Sequence, residues 1–149
     1  MSKHLTADLH ELVFAMDAYA GRVLSDHFGL DYSRFVFLSP LLGGPLDITR
    51  LAESLNFSKA AVSKRVPILE REGWVGTTED LSAGRRVVIA LSESGRDRIG
   101  AAAGELNGRF GAMLAGLAID VDLFAGQVRT LTEAVHELDA ERKLQWVAA

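Results

Sequence analysis

Two short runs hold the side chains best equipped for chemistry. The first is S-K-A-A-V-S-K-R-V-P-I-L-E-R-E-G-W, from Ser58 to Trp74, and the second is the arginine pair Arg85 and Arg86. Lys59 and Lys64 are point charges suited to phosphate or to the acceptor atoms of guanine, and the hydroxyl of Ser63 bonds several base edges. Ala60 is small enough to admit a close backbone approach and to touch a thymine methyl. This is the chemistry of binding a polyanion, not of breaking a bond.

The remaining chemistry-bearing residues are sparse. With no cysteine in 149 residues there is no disulfide, no thiolate metal site and no sensor based on cysteine oxidation. His4, His10, His27 and His136 lack metal-ligand spacing such as two histidines four apart on one helix. No nucleophile triad pattern, phosphate-cradling glycine loop or paired-carboxylate motif is present, so the expectation is a protein that is not an enzyme and takes no cofactor and no metal. The net charge of −4 hides an asymmetry. Arg50 to Arg98 carries nine basic against seven acidic residues, whereas the rest of the chain carries seven against thirteen. The positive excess therefore lies where the two candidate runs lie.

An apolar share of 48% with 24% charged residues is a globular composition, and the length suits one core of ordinary size. No run approaches the roughly 18 uncharged apolar residues of a membrane span, and the first residues lack the apolar segment of a signal peptide. The expectation is one cytoplasmic domain over residues 1–149, with no membrane contact.

The elements that must position the candidate residues follow from periodicity and caps. Leu9, Leu12, Val13, Met16, Ala20, Val23, Leu24 and Phe28 recur at steps of three and four, which predicts a helix from about Thr6 to Phe28, ended by Gly29. A second helix is expected from Asp31 through Phe35, Leu38 and Leu42 to the Gly43-Gly44-Pro45 breaker. Asp47 caps a third, Ile48 to Leu55, and Asn56 suits the left-handed turn after it. Ser58 caps the fourth, with Phe57 and Val62 at the two positions of a hydrophobic staple. At 100° per residue, Val62, Val66 and Leu69 share its inner face. Ala60, Lys64, Pro67 and Arg71 share the outer one, with Lys59 and Ser63 beside them. Pro67 deletes one helical hydrogen bond at about 3 kcal/mol, a cost tolerable on an outer face where the helix can bend without opening a hole. Trp74–Thr78 and Arg85–Leu91 read as two strands joined by Glu79–Gly84. Ser92 caps a long helix through Leu106, Phe110, Met113 and Leu117, and a last helix runs from Asp120 to about Arg142.

Short helix, turn, helix and hairpin is the order of a winged helix-turn-helix, whose second helix enters the DNA major groove. The alternative is that the cations are only the solvated side of an amphipathic helix, or that the winged module serves protein–protein contact without DNA. The hairpin bearing Arg85 and Arg86 favours the DNA reading, since both basic features then belong to one design. Tyr19, Arg22, His27, Tyr32 and Arg109 suit a pocket with an arginine for a carboxylate, but ordinary packing or a surface position is the better account of each and none is assigned.

The run L-A-E-S-L-N-F-S-K-A-A-V-S-K-R-V-P-I-L-E-R-E-G-W-V, followed by the arginine-bearing hairpin and L-S-E-S-G-R, resembles the MarR family of bacterial transcription regulators over nearly the whole chain. The resemblance implies a mainly α fold with a small β-hairpin wing, set as a winged helix-turn-helix inside a helical dimer. Residues 47–91 would be the DNA-binding module, and 1–46 and 92–149 the helical dimerisation region. It further implies a homodimeric repressor that binds a pseudo-palindromic operator in double-stranded DNA. A small aromatic or acidic effector would release it. By the family pattern Ser58, Lys59, Ala60, Ser63 and Lys64 face bases and phosphates, and Arg85 is the wing arginine of the minor groove. Two positions depart from that pattern. Ala83 stands where an aspartate often holds the wing arginine, and Pro67 stands where a polar residue is common.

Overall fold

The computed structural model describes residues 4–148, with the side chains of residues 83 and 143–148 left aside. Six α-helices and three strands follow in the order α1 (Leu5–Phe28), α2 (Tyr32–Leu38), β1 (Leu46–Asp47), α3 (Ile48–Leu55), α4 (Lys59–Arg71), β2 (Val75–Asp80), β3 (Arg86–Leu91), α5 (Glu93–Gly116) and α6 (Val121–Ala148). Short 3₁₀ helices lie at Ser39–Gly43 and Leu81–Ala83. It divides into two compact units, Met1–Leu106 and Asn107–Ala149. No single helix among the described residues is long and apolar enough to cross a membrane.

Punctuation residues set the boundaries. Gly29 takes the left-handed conformation at φ 56° and ends α1, its N–H returning to the carbonyls of Leu24 and Ser25. Asp31 Oδ1 accepts from the Arg34 N–H and starts α2. This helix stops seven residues later, short of the length the sequence predicts, because Pro40 has no N–H to continue the ladder. The chain tightens into the 3₁₀ turn, and the Ser39 hydroxyl donates to the Phe35 carbonyl at 2.6 Å. Asp47 Oδ1 caps α3 through the Arg50 N–H at 2.8 Å, and Asn56 at φ 54° closes it.

The sheet has three antiparallel strands in the order β1-β3-β2. The sequence predicts the hairpin but not β1, whose two residues pair Leu46 with Ile89 and Asp47 with Val88. A two-residue strand has no periodicity to read, and only its partner defines it. The β2 strand begins at Val75 and runs on to Asp80, two residues beyond the expected end. Asp80 pairs with Arg86, so the hairpin loop contracts to residues 81–85.

One core holds the first unit together. Leu24, Phe37, Leu38, Leu41, Leu51, Val62, Leu69, Ile89 and Ile99 are completely or almost completely buried, and together they come from α1, α2, the turn after it, α3, α4, β3 and α5. Each such side chain contributes about 1.5–3 kcal/mol relative to exposure. The junction of β2 with α5 is closely fastened. Ser92 N–H donates to the Trp74 carbonyl at 2.9 Å, Ser92 Oγ donates to the Gly73 carbonyl at 2.6 Å, and the same oxygen accepts from the Gly95 N–H at 3.0 Å. A Cβ on Gly95 would lie 2.3 Å from the Trp74 carbonyl oxygen, so the glycine of L-S-E-S-G is there for clearance.

In the second unit Asp120 Oδ1 caps α6 through the Leu123 N–H at 2.8 Å. Ile119 N–H returns to the Leu114 carbonyl across a turn in which Ala118 is left-handed. Leu123, Val128, Leu131, Val135 and Leu138 on α6 are 45–66% exposed. The α1 helix is likewise open on Leu5, Leu9, Leu12, Val13 and Phe14, the last at 77%. A solitary helix gains nothing from an apolar stripe turned to water, and contiguous stripes of this kind mark contact surfaces.

Candidate nucleic-acid interface

The α3–α4 pair and the β2–β3 hairpin carry every candidate residue. Ser58 begins α4 with its Oγ accepting from the Ala61 N–H at 3.1 Å, as its place before the apolar run predicts. That leaves the hydroxyl hydrogen of Ser58 as the group available to a partner. Phe57, expected as the staple partner of Val62, turns its ring to Phe37 at a centroid distance of 6.5 Å and gives its N–H to the Ala52 carbonyl. These contacts set the angle at which α4 leaves α3.

The inner face of α4 is Val62, Val66 and Leu69, each at most 4% exposed, as the 100° rule predicts. Lys59, Ala60, Ser63, Lys64, Pro67 and Arg71 are all exposed. The helix continues through Pro67 to Arg71. Since Pro67 cannot donate to it, the Ser63 carbonyl is released on the exposed side, where water reaches it.

The far end of α4 is clamped on two sides. Glu70 Oε1 accepts from both the N–H and the hydroxyl of Thr77, at 3.1 and 2.7 Å, which ties the last helical turn to β2. Glu72 Oε2 lies 2.9 Å from Arg34 Nη2 on α2. Arg34 also lies over the Trp74 ring at 5.4 Å, and Arg98 lies over it at 4.0 Å. The outward row on α4 and the hairpin are thus held in fixed relation by carboxylate bonds at the rim of the core.

The wing places its two arginines differently. Arg86 Nη1 is 3.6 Å from Asp47 Oδ2, the carboxylate that caps α3, so this guanidinium lies against the helix-turn-helix. Arg85 is exposed, with left-handed backbone at φ 57° next to Gly84 at φ 77°, and among the described residues its guanidinium has no hydrogen bond or ion pair. The loop is braced from within. Asp80 Oδ1 accepts from the N–H and the hydroxyl of Ser82, at 3.0 and 2.6 Å. The Ser82 hydroxyl and then its N–H hold the Asp80 carboxyl below its ordinary range, against an opposing desolvation that outweighs the lesser pull of the Arg86 charge. Asp80 thus fixes the backbone of the turn at Ser82 and does not hold Arg85.

Net charge alone overstates the interface. Of the cations counted between Arg50 and Arg98, Arg65 lies over the Phe37 ring at 4.8 Å, Arg98 covers Trp74, and Arg96 donates to the Leu42 carbonyl at 3.3 Å. Cations over aromatic faces are fold contacts that no one-dimensional count separates from surface charge. Of the residues suited to a small-molecule pocket, Tyr32 donates its hydroxyl to Asp17 Oδ1 at 2.5 Å. Burial first, then the hydrogen bond to Asp17 and its charge, push the phenol up to about 12. The open hollow between α3 and β3 is lined by Asp47, Ile48, Thr49, Arg50, Glu53, Arg86 and Val87, and includes none of the five.

No family model matches the chain. No curated protein matches it either. Its fold is nevertheless shared with solved transcription regulators. A MarR/EmrR family transcriptional regulator from Acinetobacter sp. ADP1 superposes with a TM-score of 0.70 at 22% identity, covering 91% of this chain and 96% of that one. NadR in complex with 4-hydroxyphenylacetate gives 0.70 at 20% identity, with 93% and 95% covered. Reduced AbfR bound to DNA gives 0.63 at 18% identity, with 92% and 93% covered. The architecture is therefore the winged helix of MarR-type transcription regulators, in agreement with the resemblance carried by the helix-turn-helix run and L-S-E-S-G-R.

Proposed function

We propose that this protein is a sequence-specific, DNA-binding transcriptional regulator that works as a homodimeric repressor released by a small aromatic or acidic molecule. The observation that carries the reading is the exposed row Lys59, Ala60, Ser63 and Lys64 on α4, beside a wing whose Arg85 guanidinium has no protein partner among the described residues. A solvated face needs no such arrangement of small, hydroxyl and cationic residues on one side with a free arginine on the adjoining hairpin. In this reading Ser58, Lys59, Ala60, Ser63 and Lys64 meet bases and phosphates in the major groove, and Arg85 enters the minor groove. Arg86, against Asp47, steadies the wing and reaches phosphate at most.

The exposed apolar stripes of α1 and α6 support a second copy as the natural cover, and a two-fold dimer would present two winged modules to a pseudo-palindrome. The aromatic acid bound by NadR supports an effector of that class. Double-stranded DNA is the partner, and cytoplasm is the compartment such a role requires.

The test is selection of bound duplexes from a random pool, with sedimentation of the protein and of the complex. Recovery of a two-fold symmetric sequence, bound by two chains with steep salt dependence, is the expected result. Failure to enrich any sequence, with binding only to another protein, would leave the winged module as a protein–protein contact.

A further inference from the structure

The wing tip carries a second side chain that the DNA-binding reading leaves idle. Leu81 is 73% exposed, more open than any other large apolar side chain described in the chain except Phe14 on α1. It contributes nothing to the core, yet its backbone is held. Asp80 and Ser82, the residues on either side of it, are joined by two hydrogen bonds, and Leu81 is the residue they bracket. Asp80 and Arg86 are the last paired residues of the hairpin, so Leu81 and Arg85 are the first residue beyond that pair on each arm. Both therefore stand at the tip of the wing, on either side of its turn.

We propose that the wing tip reads the DNA minor groove with two residues, Arg85 as the cation and Leu81 as an apolar wedge beside it. The proposal rests on the DNA-binding reading above. Its partner is an A·T-rich minor groove, for three reasons on the same hairpin. A narrow A·T groove has the enhanced negative potential that draws a guanidinium. Its floor lacks the guanine amino group, so an apolar side chain can sit against adenine edges and sugar C–H groups without stranding a donor. Apolar residues such as leucine, methionine and phenylalanine are also the type that proteins press between base steps from the minor-groove side. Leucine in a braced turn loses little further backbone freedom on insertion, which a leucine in a slack loop would.

The experiment uses the full-length protein and the duplex it selects, with the fluorescent adenine analogue aminopurine placed at the flanking steps within reach of the wing. Leu81→Ala is expected to bind about tenfold more weakly, the equivalent of part of a leucine's burial. Leu81→Met, apolar and of similar volume, should bind like the parent. The parent and Leu81→Met should raise the fluorescence as the step opens, and Leu81→Ala should not. Thermal midpoints should agree for all three because the side chain is mostly in water. Parental affinity in Leu81→Ala would overturn the wedge while leaving the DNA-binding reading intact. Equal weakening of both variants with lowered midpoints would assign Leu81 to the fold and overturn it too. A parent that selects no duplex sinks the DNA-binding reading and the wedge with it.

Discussion

Replacing Gly95 by alanine tests how α4 and the wing are fastened to α5. The new Cβ would fall 2.3 Å from the Trp74 carbonyl oxygen, 3.2 Å from its carbon and 3.0 Å from Ser92 Oγ. A flexible side chain could swing away from such a contact; a backbone carbonyl that already accepts the Ser92 N–H at 2.9 Å cannot. Relief requires α5 to shift off β2, which stretches the bonds from Ser92 to Trp74 and Gly73. Overpacking costs about 1–3 kcal/mol. Weakening two hydrogen bonds adds about 0.5–1.5 kcal/mol each. Alanine returns up to about 1 kcal/mol of helix propensity, less in a first turn. The net destabilisation is therefore about 1–6 kcal/mol, and its middle value of about 3 kcal/mol corresponds to roughly 6–12 °C in thermal midpoint for a chain of this size. Gly100→Ala on the same helix is the control, since its Cβ would meet only Leu42 Cδ2 at 3.9 Å, an ordinary contact. It should be neutral or stabilising by up to about 1 kcal/mol. Scanning calorimetry on the three proteins decides the matter. A Gly95→Ala midpoint at or above the parent's would refute the clearance argument.

Lys64→Ala should weaken binding to the selected duplex by about 1–3 kcal/mol if the ammonium contacts a base, and by less and uniformly over sequences if it contacts phosphate. Its exposure predicts an unchanged thermal midpoint, and a titration at moderate salt that matched the parent would remove this face of α4 from the interface. Arg85→Ala should cost about 1 kcal/mol, chiefly on operators with A·T-rich flanks, because no carboxylate preorganises the guanidinium. Equal loss on A·T- and G·C-flanked duplexes would reduce it to a phosphate contact. For Asp80, whose carboxyl is held below its ordinary range, the ionised form is the one that braces the turn. The order it lends the wing is present above about pH 4 and disappears as pH falls through the lowered value. Amide exchange at Ser82, slow at neutral pH and unchanged in acid down to unfolding, would contradict that role.

Local chemistry decided much of this protein before any tertiary contact formed. Asp31, Asp47, Ser58 and Asp120 cap helices because a short side-chain oxygen can reach an unpaired N–H two or three residues on. Gly29 and Asn56 end helices because they tolerate left-handed backbone. The inner face Val62, Val66 and Leu69 follows from the 3.6-residue period, and so the outward placement of Lys59, Ala60, Ser63 and Lys64 was legible too. What needed the tertiary structure were relations between residues far apart in the chain. The β1 strand exists only because β3 lies beside it. Arg86 leans on Asp47, thirty-nine positions earlier, while its exposed neighbour Arg85 has no partner among the described residues, and no spacing rule separates two adjacent arginines. Arg34, Arg65 and Arg98 were plain positive charges in one dimension and became covers for Trp74 and Phe37 in three. Gly95 is part of the L-S-E-S-G-R run in the sequence, but the reason it must be glycine is tertiary: the Trp74 carbonyl lies in the space a methyl would fill. Caps and periodicity act within a few residues, so sequence carries them openly; partners are chosen by closure of the chain, and only the folded molecule names them.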